Sequence, residues 1–378
     1  MMYSTITGHI GIVGGGNIGT ALALELENRG FNVCLYTRNP EIWSKDVDLY
    51  EDDFLVCKTR ISVVTDDLET LCRSCKTIVI TYPPQLFREL SSDMFPLILD
   101  GATLIAVPGL GGFEYVFNKF LEKKCTLLGL QRVPAVYRII ERGKSVSIKG
   151  RRKEGLHVAS IPFRSECDVR SIVESVFNMR CTTLSNYLGI TLTPSNPILH
   201  TSRLYALFGD YPYDHVFRNN PLFYGDWDDK SSKMLLDCDD ELMTILEQLD
   251  GIDTSSIRSL KLHYESSTVE AMTDKIRSIW SLGAIKSPMV SNDDGYAVDW
   301  GSRYFQSDFP HGLLIIKSIS KIVNVDTPTI DLIIGWYQDS LGKSYVLKDG
   351  TFGKDILECN IPHNFGIDSL EKLRLFYN

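Results

Sequence analysis

His9-Ile10-Gly11-Ile12-Val13-Gly14-Gly15-Gly16-Asn17-Ile18-Gly19 is the stretch that decides the fold. The first five residues read as a short buried strand. The next six match G-x-G-x-x-G. Asn17–Arg29 then reads as a helix, with Ile18, Ala21, Leu22 and Leu26 on one face. A glycine motif between a strand and a helix has a physical purpose. Gly14 permits the tight turn, Gly16 lets a pyrophosphate approach the backbone, and Gly19 lets the helix pack on the strand. The amide groups opening the helix, Asn17 and Ile18 among them, then favour an anion.

Outward from this motif the pattern repeats. Asn32–Thr37, Ile61–Val64, Thr77–Thr81, Thr103–Val107 and Thr126–Leu130 read as strands, with helical patterns at Gln85–Leu90 and Phe113–Lys123. Such alternation predicts a doubly wound parallel sheet, a Rossmann domain. Val136–Glu141, Lys144–Lys149 and Leu156–Ile161 read as short strands added at the sheet edge, and Cys167–Asn178 as a helix. After residue 184 strand signals nearly vanish. Helical patterns cover Pro197–Phe208, Ser231–Leu249, Thr268–Leu282, Gly312–Val323 and Thr329–Leu341. The expected architecture is an α/β Rossmann domain over 1–184 and an all-helical domain over 185–378 that resembles the 6-phosphogluconate dehydrogenase C-terminal type.

The 378 residues suffice for two domains. A net charge of −9 argues against a broad nucleic-acid surface. Nine scattered cysteines suggest reduced thiols, and the lone Cys72-x-x-Cys75 lacks the further ligands a zinc site needs, so no metal is expected. No apolar run reaches a membrane span, and the chain runs within ten residues into a structured motif, so no secretory leader is expected. The expected compartment is the cytoplasm. A homodimer is expected by analogy with other helical second domains.

The second strand ends Leu35-Tyr36-Thr37-Arg38-Asn39. An acid there would accept hydrogen bonds from the ribose 2′-hydroxyl of NAD. Thr37 and Arg38 instead suit a 2′-phosphate, so NADP(H) is expected. Tyr82 and Pro83, after the fourth strand, are expected beside the nicotinamide, as is the Pro108–Gly112 loop after the fifth.

Hydride chemistry needs a positioned acid–base group. His200 is the best-placed histidine, in Ser195-Asn196-Pro197-Ile198-Leu199-His200-Thr201-Ser202-Arg203-Leu204-Tyr205. Asn196 reads as an N-cap followed by proline at the first helical position. His200 then falls one turn into the helix. Lys261, Lys275 and Lys286 exist for a lysine-based reductase, but none sits in a recognisable setting.

Asn196–His200 resembles the N-P-x-x-H stretch of the opine dehydrogenase family, the octopine/nopaline group. Arg303-Tyr304-Phe305-Gln306-Ser307-Asp308-Phe309-Pro310-His311-Gly312-Leu313 resembles its R-Y-x-x-x-D-x-P-x-G-L stretch. Thr327–Asp331 and Arg132–Arg138 are also family-like. The resemblance spans residues 9 to 341. It implies a His–Asp dyad of His200 and Asp308. It further implies reductive condensation of an amino-acid amine with a 2-oxo acid. Within the family, Asn196–Tyr205 looks closest to enzymes of opine-type metal chelators such as staphylopine.

The chemistry fits such a dyad. One imidazole can deprotonate an amine and later protonate a departing hydroxyl. A carboxylate can fix its tautomer. Substrate carboxylates need donors, for which Arg303, Arg138 and Asn196 are the candidates. His311 is a rival to His200, and Asp308 has an alternative role as a helix cap. The long aromatic segment 210–227 is read as a lid or substrate wall. Two other readings stand beside this one. The first is a reductase similar to ketopantoate reductase or glycerol-3-phosphate dehydrogenase. The second is a non-enzymatic nucleotide sensor.

Overall fold

The computed structural model describes residues 9–194 and 196–378. The chain divides into two compact units, residues 1–191 with Tyr377 and residues 192–376 with Asn378.

The first unit contains β1 (His9–Val13), α1 (Asn17–Asn28), β2 (Val33–Tyr36), β3 (Val47–Glu51), β4 (Phe54–Thr59), β5 (Val63–Thr65), α2 (Leu68–Ser74), β6 (Cys75–Ile80) and α3 (Phe87–Met94). It continues through β7 (Thr103–Ala106), α4 (Phe113–Val116), β8 (Thr126–Leu130), β9 (Ala135–Glu141), β10 (Ser145–Arg151), β11 (Leu156–Ile161), α5 (Glu166–Phe177), β12 (Cys181–Thr183) and α6 (Leu188–Thr191). The main sheet runs β12-β11-β8-β7-β6-β1-β2-β5. From β8 to β5 all neighbours are parallel, whereas β11 joins antiparallel to β8. The run of apolar residues in the central strands follows from burial on both faces. Ile10, Ile12, Val79, Ile105 and Leu128 are fully buried.

Two strands expected at the sheet edge are elsewhere. β9 and β10 belong to a separate four-stranded sheet, β4-β3-β10-β9. Val47 and Leu49 of β3, Tyr137 of β9, and Val146 and Ile148 of β10 alternate toward one face. They share a core with Ala21, Leu22 and Leu24 of α1. Burial of that alternating face against α1 is what withdraws β9 and β10 from the main sheet. Sequence reasoning placed no strands at β3 and β4.

The 185–191 stretch groups with the sheet, beyond the expected boundary at 184. Tyr187 is buried, and its hydroxyl donates to Gly109 O at 3.1 Å. It packs so closely that a Cβ on Gly129 would lie 2.1 Å from its oxygen.

The second unit contains α7 (Asn196–Phe208), α8 (Asp229–Glu247), α9 (Leu260–His263), α10 (Val269–Arg277), β13 (Met289–Asn292), β14 (Gly295–Val298), α11 (Arg303–Gln306), α12 (Leu314–Ile322), α13 (Pro328–Leu341) and, apart from Tyr377, α14 (Leu370–Tyr377). Leu204, Leu235, Leu242, Ile245, Met272, Ile276, Ile330 and Ile334 form its apolar interior. The helices begin on side-chain caps, Asp228 for α8 and Thr268 for α10. The antiparallel β13–β14 hairpin was not expected in a helical domain. A π turn, Phe309–Leu313, precedes α12.

Among the described residues no helix is long and apolar enough to cross a membrane.

Candidate active site

The glycine turn has the geometry its motif demands. Gly14 has φ +117°, a conformation L side chains rarely adopt, and a Cβ there would lie 2.6 Å from Thr81 Oγ1. A Cβ on Gly19 would lie 1.9 Å from Gly14 O, so only glycine allows α1 to start so close to β1. Gly16 faces open space, with nothing within 4 Å of an added Cβ. The turn is therefore closed on the protein side and open where an anion would sit, which fits a dinucleotide pyrophosphate. Ile18 lies half-buried beside it.

Asn17 has a further task. Its Oδ1 accepts from Ile139 N at 2.7 Å and ties the start of α1 to β9. At the end of β2, the Thr37 amide donates to Thr65 O at 2.9 Å, and its side chain faces Gly15. Arg38 is exposed and enters no hydrogen bond or ion pair with the described residues. Tyr82 packs beside Gly14 and near the Tyr36 ring, while Pro83 is exposed at the turn leading to α3. In the other loop, Gly109 is fixed by close packing on Gly129.

In the second unit, α7 carries His200. The helix starts at Asn196, which is exposed and lies inside the helix rather than at its cap; Ser195 lies outside the described residues. Gly312 packs on Pro197 so closely that a Cβ would lie 2.7 Å from Pro197 Cγ. This close approach brings the π turn against the start of α7. Asp308 precedes that turn and makes no side-chain cap bond to it. Its Oδ2 instead lies 2.7 Å from His200 Nδ1. An ionised carboxylate only accepts, so Nδ1 carries the proton and Nε2 presents its lone pair. The imidazole is 2% exposed. Such isolation from water strengthens the ion-dipole contact between ring and carboxylate.

Tyr304 lies against the imidazole, with ring centres 4.6 Å apart, and the Arg303 guanidinium lies 5.5 Å from the Tyr304 ring centre. Arg303 thus sits next to the dyad with its donors directed to no carboxylate of the described residues. Arg138 belongs to the first unit. It lies on the exposed face of β9 and donates to Tyr137 O. His311 is engaged elsewhere, because its Nδ1 accepts from Asn360 N at 3.3 Å.

Two residues that sequence reasoning passed over complete the cluster. Tyr224 Oη lies 2.8 Å from His200 Nε2. Arg203, three positions after His200, is fully buried and holds the turn that carries Tyr224. Trp227 and Phe223 are also fully buried, so this end of the aromatic segment is a packed wall and not a lid.

The lysines of the rival reading are committed elsewhere. Lys261 pairs with Asp240, Lys275 with Glu265, and Lys286 points to Asn220 O. Among the described residues no group of three His, Cys, Asp or Glu is placed to hold a metal. Cys72 and Cys75 are buried, and burial pushes the Cys72 thiol up to about 12.

Residues 183–341 match the family "NAD/NADP octopine/nopaline dehydrogenase, alpha-helical domain", the span that contains the dyad. This helical region belongs to the octopine/nopaline dehydrogenase family. Residues 9–107 match "NADP oxidoreductase coenzyme F420-dependent". Among relatives of the chain is the tauropine dehydrogenase of Arabella iricolor. It is 26% identical, over 96% of this chain and 98% of that one. An octopine dehydrogenase solved with NADH and L-arginine has TM-score 0.84 at 22% identity, over 97% of this chain and 98% of the other. The same enzyme solved with NADH and pyruvate also has TM-score 0.84, at 23% identity. Both likenesses are of fold.

Proposed function

We propose that this protein is an NADP(H)-dependent opine-type dehydrogenase. It would condense an amino-acid amine with a 2-oxo acid such as pyruvate and reduce the resulting imine. The observation that carries the reading is the buried His200–Asp308 pair at 2.7 Å, within the helical region that matches the family.

The residues supply the proton steps. His200 Nε2 takes a proton from the amine, which then attacks the keto carbon. Asp308 stabilises the imidazolium so formed. The same proton passes to the carbinolamine hydroxyl, the C–O bond breaks, and water leaves an imine. Arg303, beside the dyad, binds the substrate carboxylate through its planar fork. Asn196 at the start of α7 and Arg138 on β9 are secondary candidates for carboxylate contacts. A bound nicotinamide supplies the hydride that reduces the imine. Gly14, Gly16, Asn17, Ile18 and Gly19 would hold its pyrophosphate, with Thr37 and Arg38 at the adenosine ribose and Tyr82 and Pro83 nearer the nicotinamide.

The test is an NADPH-oxidation screen. It would pair L-arginine, taurine and small amino acids with pyruvate, 2-oxoglutarate and glyoxylate, and record product masses. A mass equal to amine plus oxo acid, less water, plus two hydrogens supports the reading. Tight nicotinamide binding without turnover across the panel points to a sensor instead. The Asn196–Tyr205 stretch supports metal-chelator opines as a product class, so larger amines that bear several carboxylates belong in the panel. Chain mass by light scattering checks the expected homodimer.

The preference for NADPH rests on Arg38 and on the lack of an acid at the end of β2. NADH is the second reading, favoured by the octopine dehydrogenase complexes. Replacing Arg38 by Asp removes a charge-assisted contact to a 2′-phosphate and adds a repulsive one. The expected result is a fall in kcat/KM for NADPH of about 10- to 100-fold, from a lost contact worth roughly 1.5–3 kcal/mol. Activity with NADH stays within a few-fold. Steady-state kinetics with both nucleotides checks it, and equal effects on the two would discard the assignment.

A further inference from the structure

The reach of the Tyr224 phenol to His200 needs an explanation, because it occupies the nitrogen that the proposed chemistry uses. We infer that Tyr224 is a positioning residue for His200, held in place by the buried cation of Arg203. It donates to Nε2 and so keeps the free imidazole neutral, with its lone pair directed and capped. The inference rests on the acid–base reading of His200 and adds a residue to it.

The geometry gives the imidazole one partner on each nitrogen. Asp308 Oδ2 lies 2.7 Å from Nδ1, and Tyr224 Oη lies 2.8 Å from Nε2. Burial, foremost, pushes the Tyr224 phenol above its ordinary value, so the phenol keeps its proton and is the donor. With Nδ1–H committed to Asp308, Nε2 can only accept. Both bonds therefore select the same neutral tautomer. The other ionisable groups nearby are Tyr304, which lies on the ring, Arg303 against Tyr304, and Tyr264, whose charge would act on the Tyr224 phenol. His311 of the π turn is bonded to Asn360. None of these occupies Nε2.

The phenol is held by an unusual clamp. Arg203 Nε donates to Phe223 O at 2.9 Å. Its Nη2 donates to Asp226 O at 2.6 Å and Leu222 O at 3.3 Å, and its Nη1 to Ser231 Oγ at 2.9 Å. Asp228 supplies the countercharge at 3.3 Å. Trp227 stacks nearly parallel to Tyr224, 8° between planes, and also covers the guanidinium. One helix therefore carries both the imidazole and, three residues on, the cation that fixes the phenol's turn. Desolvating a guanidinium is costly, and here it secures three carbonyls of a single turn.

The reacting amine must replace this phenol at Nε2. When it does, the amine proton passes to Nε2 while Tyr224 retains its own proton, so the exchange balances without a further reactant.

The experiment uses the full chain labelled with 15N-histidine, without substrate or nucleotide. Long-range 1H–15N spectra are recorded from pH 5.5 to 8.5, with the His200 signals assigned by their loss in His200→Gln. In the unaltered chain His200 should be the neutral Nδ1–H tautomer. In Tyr224→Phe that tautomer remains, but the midpoint rises by roughly 0.5–1 pH unit, as expected for losing one hydrogen bond to the neutral form. The acidic limb of the kcat/KM profile should rise with it. Arg203→Lys keeps the charge but loses the fork, and should give a smaller rise in the same direction. The other six histidines report whether either variant is still folded. An unmoved midpoint in folded Tyr224→Phe, or an Nε2–H tautomer in the unaltered chain, overturns the inference. These spectra need no turnover, so their failure is distinct from failure of the dehydrogenase reading, which the substrate screen alone decides.

Discussion

Asp308→Asn should lower kcat by about 100- to 10,000-fold, the range assigned to a lost acid–base partner. The KM for the 2-oxo acid and the affinity for the nicotinamide nucleotide should change little. The reason lies in the Nδ1–Oδ2 contact of 2.7 Å. A carboxylate accepts only, so it dictates which ring nitrogen bears the proton. An amide can turn either its oxygen or its NH2 to the ring, and it carries no charge to stabilise an imidazolium. His200→Gln removes the proton acceptor itself and should cost at least as much.

The two changes act on one unit and should not add. The double variant is expected to be no slower than His200→Gln within a few-fold. Losses that multiply would mean that Asp308 acts apart from the imidazole. A kcat unchanged in both single variants would make the pair a structural contact, and the proposed chemistry would fail with it. Melting curves and nucleotide affinity of each variant show that the site, not the fold, was altered.

The sequence displayed this dyad only in part. His200 and Asp308 stand 108 positions apart, and nothing in local periodicity links them. Their juxtaposition depends on Gly312 meeting Pro197, a close approach that spacing does not reveal; family-like motifs supplied what periodicity lacked. The glycine turn was legible because its constraint is local. Gly14 needs its positive φ, and Gly19 needs to lack a Cβ, whatever lies elsewhere.

The β3–β4 pair was missed although Val47 and Leu49 alternate, because charged and exposed residues interrupt the pattern on the other face. The roles of Arg203 and Tyr224 were silent for another reason. Arg203 binds mainly backbone carbonyls, which every sequence contains. Its one visible signal was a cation next to Leu204 and one turn from His200 on an apolar helix.

Glu114→Gln should flatten the dependence of stability on pH between about 5 and 8. Glu114 lies in the first turn of α4, just after the Pro108–Gly112 loop, and is fully buried. Burial is the largest influence on its carboxyl and pushes it up to about 7; the Thr191 hydroxyl and Tyr377 hydroxyl, which donate to Oε1, pull it partly back. The other oxygen, Oε2, has no hydrogen-bond partner among the described residues. A carboxyl raised in this way binds its proton more tightly when folded than when unfolded. Between the ordinary value of 4.5 and about 7 the folded chain therefore holds more protons. Stability falls as pH rises through that window, and the full cost applies above it.

At 1.36 kcal/mol per pH unit the window corresponds to roughly 3 kcal/mol. Gln keeps an oxygen for Thr191 and Tyr377 but never ionises. Its NH2 replaces an unpartnered Oε2, which shifts the variant's stability alike at every pH; the change with pH is what isolates the carboxyl. Relative to the unaltered protein, the variant should gain roughly 3 kcal/mol on going from pH 5 to pH 8. For a unit of this size that is on the order of 6–10 °C in melting midpoint. Parallel differences at both pH values would mean that Glu114 is ionised in both states, with Oε2 hydrated after all.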